Sequence, residues 1–327
     1  MRLLVYGAGN IGSLYAARLA QSSQDVAILA RGTRFEQIRQ HGIELEDGVS
    51  GQRATTSPEV VARLDPNDAY DVVLVVLPKH RLAEVLPVLV ANDRTPSVMF
   101  FGNNAAGPDA MTDAIGRDRV LLGFPGAAAV RRGDAIRYVI TSAREQPTTI
   151  GELDGSKSAR IVAIASALRG AGFPVSVCTN MDAWLKTHVA EILPTVCALY
   201  QAGGQPEQLA SSDEALRLML RSIREGYQVL RANGVPITPG NHRVFEWLPE
   251  SLLLFLMRRM VKSETTAIKL GHAEQGRAEW QRLAKEFRSL IERADVPTPS
   301  IDAAHRHLSP ASAARTRVAA IDARFMA

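Results

Sequence analysis

The sequence predicts an α/β protein: a doubly wound parallel sheet over residues 1–178, followed by an all-helical segment over 179–327. Three observations predict it. Short continuous apolar runs of strand length, such as Leu3-Leu4-Val5-Tyr6 and Val72-Val73-Leu74-Val75-Val76-Leu77, alternate with helical patterns in the first half, as buried parallel strands do. Near residue 178 the strand runs stop, and long helical patterns follow at 180–201, 212–232, 250–270 and 273–293, with a weaker one at 311–325. The length of 327 residues is about two domains' worth.

The first element is a strand from residue 2. Gly7, Gly9 and Gly12 follow it in G-x-G-x-x-G spacing. Ile11, Leu14, Tyr15 and Leu19 then recur at helical intervals, and Val26-Ala27-Ile28-Leu29 forms a second strand that ends at Arg31. Strand, tight turn, helix and strand make the setting in which this spacing binds a dinucleotide. Gly7 permits the sharp turn, Gly9 leaves room for a pyrophosphate, and Gly12 lets the helix pack closely on the strand. The free N–H groups of the helix start face the anion. The candidate pyrophosphate contacts are therefore Gly7, Ala8, Gly9, Asn10, Ile11 and Gly12.

The end of the second strand selects between cofactors. An NAD site places Asp or Glu there for the ribose 2′-OH. This chain has Leu29-Ala30-Arg31-Gly32-Thr33-Arg34. Two guanidinium groups and no carboxylate fit a 2′-phosphate, and hence NADP(H). The plainer alternative is that Arg31 and Arg34 are solvated loop charges.

The remaining elements follow in order. A short helix is expected at 35–41, and a hairpin or short strands at 43–45 and 52–55. The strand at 71–77 is stopped by Pro78, which places Lys79 just past its carboxyl end, where ligands lie in open α/β sheets. A helix at 81–91 and a buried strand at 97–101 lead into the turn Gly102 to Gly107 at the same edge. Strand-like pieces at 119–123 and 127–151, a helix at 157–170 and a last strand from Phe173 to Val177 complete the half. Pro-rich turns at 234–239 and 296–299 separate the later helices. A cleft between two such domains is a common ligand site.

Composition excludes several classes. Hydrophobic residues make up 46% and charged residues 22%, ordinary for a globular chain. A formal net charge of +4 is too small for nucleic-acid binding and suits small anions. Arg131-Arg132 and Arg258-Arg259 read as solvated faces or anion contacts. Cys178 and Cys197 lack C-x-x-C spacing and read as free buried thiols, with no metal site. No apolar run reaches the ~18 residues of a membrane span, and no signal peptide precedes the first strand. The expectation is a soluble, cytoplasmic protein without nucleic-acid or membrane partners. The apolar stretch Leu252 to Met257 fits either a homodimer face or a pack of buried helices.

These residues resemble the ketopantoate reductase family. The resemblance rests on the glycine turn, Arg31 closing the second strand, Leu77-Pro78-Lys79, the turn at Asn103, Thr149-Ile150-Gly151-Glu152, and Trp184-Leu185-Lys186 opening the helical half. It implies a Rossmann-type domain joined to a helical domain of the 6-phosphogluconate dehydrogenase type, reducing 2-dehydropantoate to pantoate with NADPH. It implies further that Arg31 holds the 2′-phosphate, that Lys79 and Asn103 lie along the cofactor, and that Lys186 is the catalytic lysine. The chain also departs from the pattern. Asn104 stands where the family has glycine, and Ala190 stands where it has asparagine one turn after the lysine. The C-terminal motif with its substrate-binding glutamate is absent as written, which leaves Glu274 and Glu279 as its nearest candidates.

Reduction of a 2-oxo acid needs a hydride, a proton for the developing alkoxide, and positive charge for the substrate anion. The cofactor carries the first. Lys186 at a domain junction suits the other two, its pKa lowered by burial. Without the resemblance, a solvated helix-face lysine is the commoner reading. His188 is a candidate substrate contact, weighed against a satisfied core histidine. Glu191 reads as a surface carboxylate. Asn103 is balanced between a carboxamide contact and a turn residue. His272 and Glu274 form an H-x-E pair that does not match helical zinc spacing. Two other functions stay open: an oxidoreductase of the same architecture acting on another anionic substrate, and a dinucleotide-binding protein without catalysis.

Overall fold

The chain folds through β1 (Arg2–Tyr6), β2 (Asp25–Leu29), β3 (Ile43–Asp47), β4 (Arg53–Thr56), β5 (Glu59–Val61), β6 (Val72–Val75), β7 (Val98–Phe101), β8 (Val120–Phe124), β9 (Ala127–Arg132), β10 (Ala135–Ile140), β11 (Thr148–Glu152) and β12 (Val175–Val177). Eight of these form one sheet in the order β12-β11-β8-β7-β6-β1-β2-β5. From β5 to β8 every pairing is parallel. β11 runs antiparallel to β8, and β12 parallel to β11. The winding reverses at β1: the chain moves outward through β2 and β5, then returns to lay β6 on the other side. The sheet is doubly wound as expected, with its switch point between the carboxyl ends of β1 and β6.

The sequence accounts for the sheet interior. β6 and β7 are buried at every position, and β1 at all but its first. Helices cover both faces of such strands, so no apolar–polar alternation arises. The helix Asn10–Gln21 buries Leu14, Tyr15 and Leu19. Tyr15 stacks on Phe173 with ring centroids 4.0 Å apart, meets Phe101 edge-on at 5.0 Å, and shares a 2.6 Å hydrogen bond with Thr148 Oγ1.

The strands predicted over 127–151 divide between two sheets. β9 and β10 join the β3–β4 hairpin in a separate sheet of order β4-β3-β10-β9, whereas β11 returns to the main one. The deciding pairing, Ile136 with Leu45 between β10 and β3, joins segments far apart in sequence. A short helix, Asp109–Ile115, also escaped the sequence reading.

This structure, a computed structural model, describes residues 1–261 and 276–309. The later helices are Met181–Gln201, Pro206–Ser211, Asp213–Ala232, Val244–Trp247, Glu250–Val261, Arg277–Ala294 and Pro299–His305. The expected helix at 250–270 is described as far as Val261, and that at 273–293 from Arg277 onward. The pattern at 311–325 lies outside the described residues. Ser212 Oγ caps the Asp213–Ala232 helix by accepting from Ala215 N–H at 3.2 Å. The Glu225 carboxylate caps the Pro299–His305 helix through the Ser300 and Ile301 amides at 3.0 and 2.9 Å. The helix Glu250–Val261 buries Leu253, Leu254, Met257 and Val261 and leaves Leu252, Phe255, Leu256 and Met260 exposed.

Two compact units result: Met1–Asn103 with Gly107–Asp182, and Asn104–Ala106 with the chain from Ala183 onward. Both cysteines are free, Cys197 buried and Cys178 half-buried. Among the described residues, no helix is long and apolar enough to cross a membrane.

Tyr15→Phe removes one buried hydrogen bond but keeps both ring contacts. It is expected to cost about 1 kcal/mol, read from chemical denaturation followed by far-UV circular dichroism. An unchanged unfolding midpoint would contradict the role given to the Thr148 bond.

Candidate functional site

The three glycines of the first turn meet two different demands. Gly7 has φ +125°, and a Cβ on it would lie 2.4 Å from the Val76 carbonyl oxygen. A Cβ on Gly12 would lie 1.9 Å from the Gly7 carbonyl oxygen. These two positions are sterically closed. Gly9 is the opposite case: it is exposed, and a Cβ there would meet nothing within 4 Å. The open space lies at the start of the Asn10–Gln21 helix, which has no side-chain cap on its first amides. Backbone N–H groups at an uncapped helix start, beside a position without a side chain, make a cradle for a phosphate. Around it Ala8, Asn10 and Ile11 are half-buried, and Asn10 Nδ2 donates to the Ala129 carbonyl at 3.4 Å.

Arg31 stands at the end of β2, and its Nη2 donates to Tyr6 OH, at the end of β1, at 3.1 Å. Arg34, read from the sequence as its companion, turns the other way. It donates to Ser13 Oγ at 3.0 Å and to Gln37 Oε1 at 2.8 Å. Burial, followed by the nearby Arg131 charge, pulls its pKa down to about 10. The sequence reading missed Arg81, which pairs with Glu84 at 2.7 Å. Arg81, through that bond, and then the Arg31 and His80 charges hold the Glu84 carboxyl below its usual range. Lys79 begins the turn just past β6, and Asn103 lies in the loop after β7; both are half-buried. All of these residues lie beyond the carboxyl ends of parallel strands.

In the second unit, Lys186 lies half-buried on the Met181–Gln201 helix. Trp184 and His188, one turn apart, stack with ring centroids 5.4 Å apart and 10° between planes. The stacking packs the His188 ring against Trp184 on the same helix. Thr187 Oγ1 donates to the Ala183 carbonyl at 2.9 Å and accepts from Thr238 N–H at 3.1 Å. Ala190 is 2% exposed, and a Cβ built on Gly226 would lie 3.1 Å from its methyl. The position where the resemblance places asparagine is thus closed by a neighbouring helix.

Glu191 is not the surface carboxylate expected from the sequence. It accepts hydrogen bonds from Tyr227 OH and, at 2.7 Å, from His242 Nδ1. Burial pushes the His242 imidazole down, the Glu191 hydrogen bond and charge pull it up, and the net displacement is upward. Burial and the same carboxylate push the Tyr227 phenol up. Tyr227 and His242 lie 36 and 51 residues from Glu191, too far for any local pattern to reveal.

Glu279 is half-buried in the first turn of the Arg277–Ala294 helix, where a carboxylate complements the helix dipole. Glu274 and His272 lie outside the described residues. Glu286, unnoticed in the sequence, is buried and accepts from the Ala105 and Ala106 amides at 3.3 Å each. Glu152, at the end of Thr149-Ile150-Gly151-Glu152, takes Arg160 bidentately at 2.7 and 2.6 Å and also accepts from Ser158. The motif is therefore a structural anchor for the helix Ala159–Gly170. Among the described residues, no group of His, Cys, Asp and Glu could hold a metal ion.

Residues 3–155 match the family described as "Ketopantoate reductase PanE/ApbA". Over these residues, just under half of its length, the chain is similar to the ketopantoate reductase family. It is 26% identical over 331 residues to a 2-dehydropantoate 2-reductase of Mesorhizobium japonicum, covering 93% of this chain and 95% of that one. The solved 2-dehydropantoate 2-reductase of Methylococcus capsulatus shares its fold with a TM-score of 0.71 at 21% identity, covering 97% and 98% of the two chains. A D-mandelate dehydrogenase solved with NADH and anilino(oxo)acetate also shares the fold, with a TM-score of 0.73 at 15% identity and coverage of 97% and 100%. The proteins it resembles are reductases and dehydrogenases.

Gly9→Ala is expected to leave the unfolding midpoint unchanged, whereas Gly12→Ala, which must displace backbone, is expected to cost about 3 kcal/mol or more. Equal midpoints in denaturant titrations would refute the distinction. Glu191→Gln removes the charge that raises His242, so the His242 pKa should fall, as read from its imidazole NMR signals. Because the folded pKa is the raised one, the pair's stabilisation is fully present below the unfolded value of 6.5 and is lost as pH rises through the folded value. The stability gap between wild type and Glu191→Gln should close over that interval, and a gap that widens with pH would contradict the pairing.

Proposed function

We propose that the chain reduces a small 2-oxo acid with NADPH, and that 2-dehydropantoate is the leading substrate. The observation that carries the cofactor choice is Arg31. It is the guanidinium at the end of β2, held there by Tyr6, where an NAD site has a carboxylate. The open position at Gly9 fits a pyrophosphate, and Gly7, Ala8, Gly9, Asn10, Ile11 and Gly12 would hold it. Arg31 would hold the 2′-phosphate, with Lys79 and Asn103 toward the nicotinamide. When bound, the reduced nicotinamide supplies the hydride.

The chain's own residues supply the rest. Lys186 gives its ammonium proton to the carbonyl oxygen as that oxygen becomes an alkoxide, and its charge attracts the substrate carboxylate. Glu279, His188 and the undescribed Glu274 are the candidate substrate contacts. The Thr187–Thr238 bond ties the helix around Lys186 to the loop at residue 238.

A second reading, a reductase of the same architecture for a different 2-oxo acid, is favoured by one observation. Ala190 is packed against Gly226 where the family's asparagine would stand. The D-mandelate dehydrogenase fold makes a bulkier, aromatic 2-oxo acid the natural competitor.

Stopped-flow and steady-state assays separate these readings. Arg31→Ala should weaken NADPH binding at least tenfold more than NADH binding, whereas equal losses would refute the 2′-phosphate assignment. Lys186→Ala should lower kcat about a hundredfold or more if the lysine provides the proton; an unchanged kcat removes it from the mechanism. Turnover of phenylglyoxylate without turnover of 2-dehydropantoate would select the second reading. Tight NADPH binding with no turnover across a panel of 2-oxo acids would sink both.

A further inference from the structure

A separate cavity of ≈ 420 Å³ lies within the second unit. Its volume is within the range of small-molecule sites, about 300–1,000 Å³. One face of the Asp213–Ala232 helix contributes Glu214, Arg217, Leu218 and Arg221, which share that face because they are three, four and seven residues apart. Gln201 comes from the end of the Met181–Gln201 helix, and Arg306 from the turn after Pro299–His305.

The charges in this cavity do not balance. Arg217 and Arg221 both lean on one carboxylate, Glu250, the latter at 3.6 Å. Arg306 has no ion pair among the described residues. The single acid on the wall, Glu214, accepts from Gln201 Nε2 at 3.1 Å. That bond fixes the amide orientation, because only the NH₂ end can donate to a carboxylate. The other end, Gln201 Oε1, is then a buried acceptor with no donor among the described residues. A buried acceptor left unmade costs about 1–3 kcal/mol. The cavity thus combines an excess of guanidinium charge with an acceptor that lacks an O–H or N–H.

We infer that this cavity is a binding site for a small hydroxylated acid, its oxyanion group on the arginines and its hydroxyl donating to Gln201 Oε1. The oxyanion is a carboxylate or a phosphate monoester; both accept two parallel N–H bonds from a guanidinium. Leu218 provides the apolar wall against which the carbon skeleton rests. The inference does not rest on the reductase reading, since every wall residue belongs to the second unit and none is a candidate cofactor contact.

The test is isothermal titration of the full-length protein with D-glycerate, glycerol 3-phosphate and, as the neutral control, glycerol. At least one of the two anions should bind, glycerol should not, and added salt should weaken the binding. Arg306→Gln breaks no ion pair and should weaken binding at least tenfold, and Gln201→Leu at least threefold. Arg31→Ala should bind as wild type does, which separates this site from the nucleotide cradle. A preference for glycerate or for glycerol 3-phosphate identifies the oxyanion. Absence of binding by both anions would overturn the inference, and so would affinities that Arg306→Gln and Gln201→Leu leave unchanged.

Discussion

The first unit depends on one close approach: the start of the Asn10–Gln21 helix against the Gly7 carbonyl that ends the turn after β1. Only hydrogen fits at Gly12, 1.9 Å being far inside any carbon–oxygen contact. This fixes where the helix axis points and how deeply its next turn sinks. Tyr15, three residues on, then falls between Phe101 of β7 and Phe173 before β12, and its hydroxyl reaches Thr148 at the start of β11. Thr148 Oγ1 also accepts from the Gly126 amide at 3.1 Å, between β8 and β9. The same approach that shapes the glycine turn therefore locks segments from across the sheet into one core.

The local parts of this arrangement were legible in the sequence, because their causes are local. β6 and β7 announce themselves as unbroken apolar runs, since both of their faces are covered. The turn announces itself because Gly7 needs a positive φ and Gly12 a missing Cβ. What could not be read is whatever depends on partners distant in the chain. Nothing in Ala135–Ile140 says that it pairs with Ile43–Asp47 and not with the main sheet. Nothing in Arg34 distinguishes it from Arg31, yet one turns toward Ser13 and Gln37 while the other remains at the strand ends. Asn104–Ala106 falls with the second unit although a change in composition places the boundary near residue 178; the buried carboxylate of Glu286 on the Ala105 and Ala106 amides supplies the reason.

Glu152 and Glu191 show how far charge alone misleads. Both are carboxylates in or beside motifs that suggest chemistry. Glu152 is committed to Arg160 and Ser158, and two charged hydrogen bonds to one guanidinium leave it little capacity for anything else. Glu191 holds a phenol and an imidazole, so a single half-buried charge organises three elements of the second unit. Withdrawing that carboxylate from water even in part would be unfavourable without both donors.

The departure at Ala190 is better understood as half of a pair than as a lost contact. At 3.1 Å, the space between its methyl and a Cβ on Gly226 is tighter than ordinary packing allows. Two helices that approach this closely require a small residue on each side. An asparagine at 190 would need the Asp213–Ala232 helix to retreat, and that helix is tied back to the same neighbour through Tyr227 and Glu191. The side chain at 190, the glycine at 226 and the Tyr227–Glu191 bond therefore constrain one another. A larger side chain at either 190 or 226 would therefore have to be met by a change in the other helix.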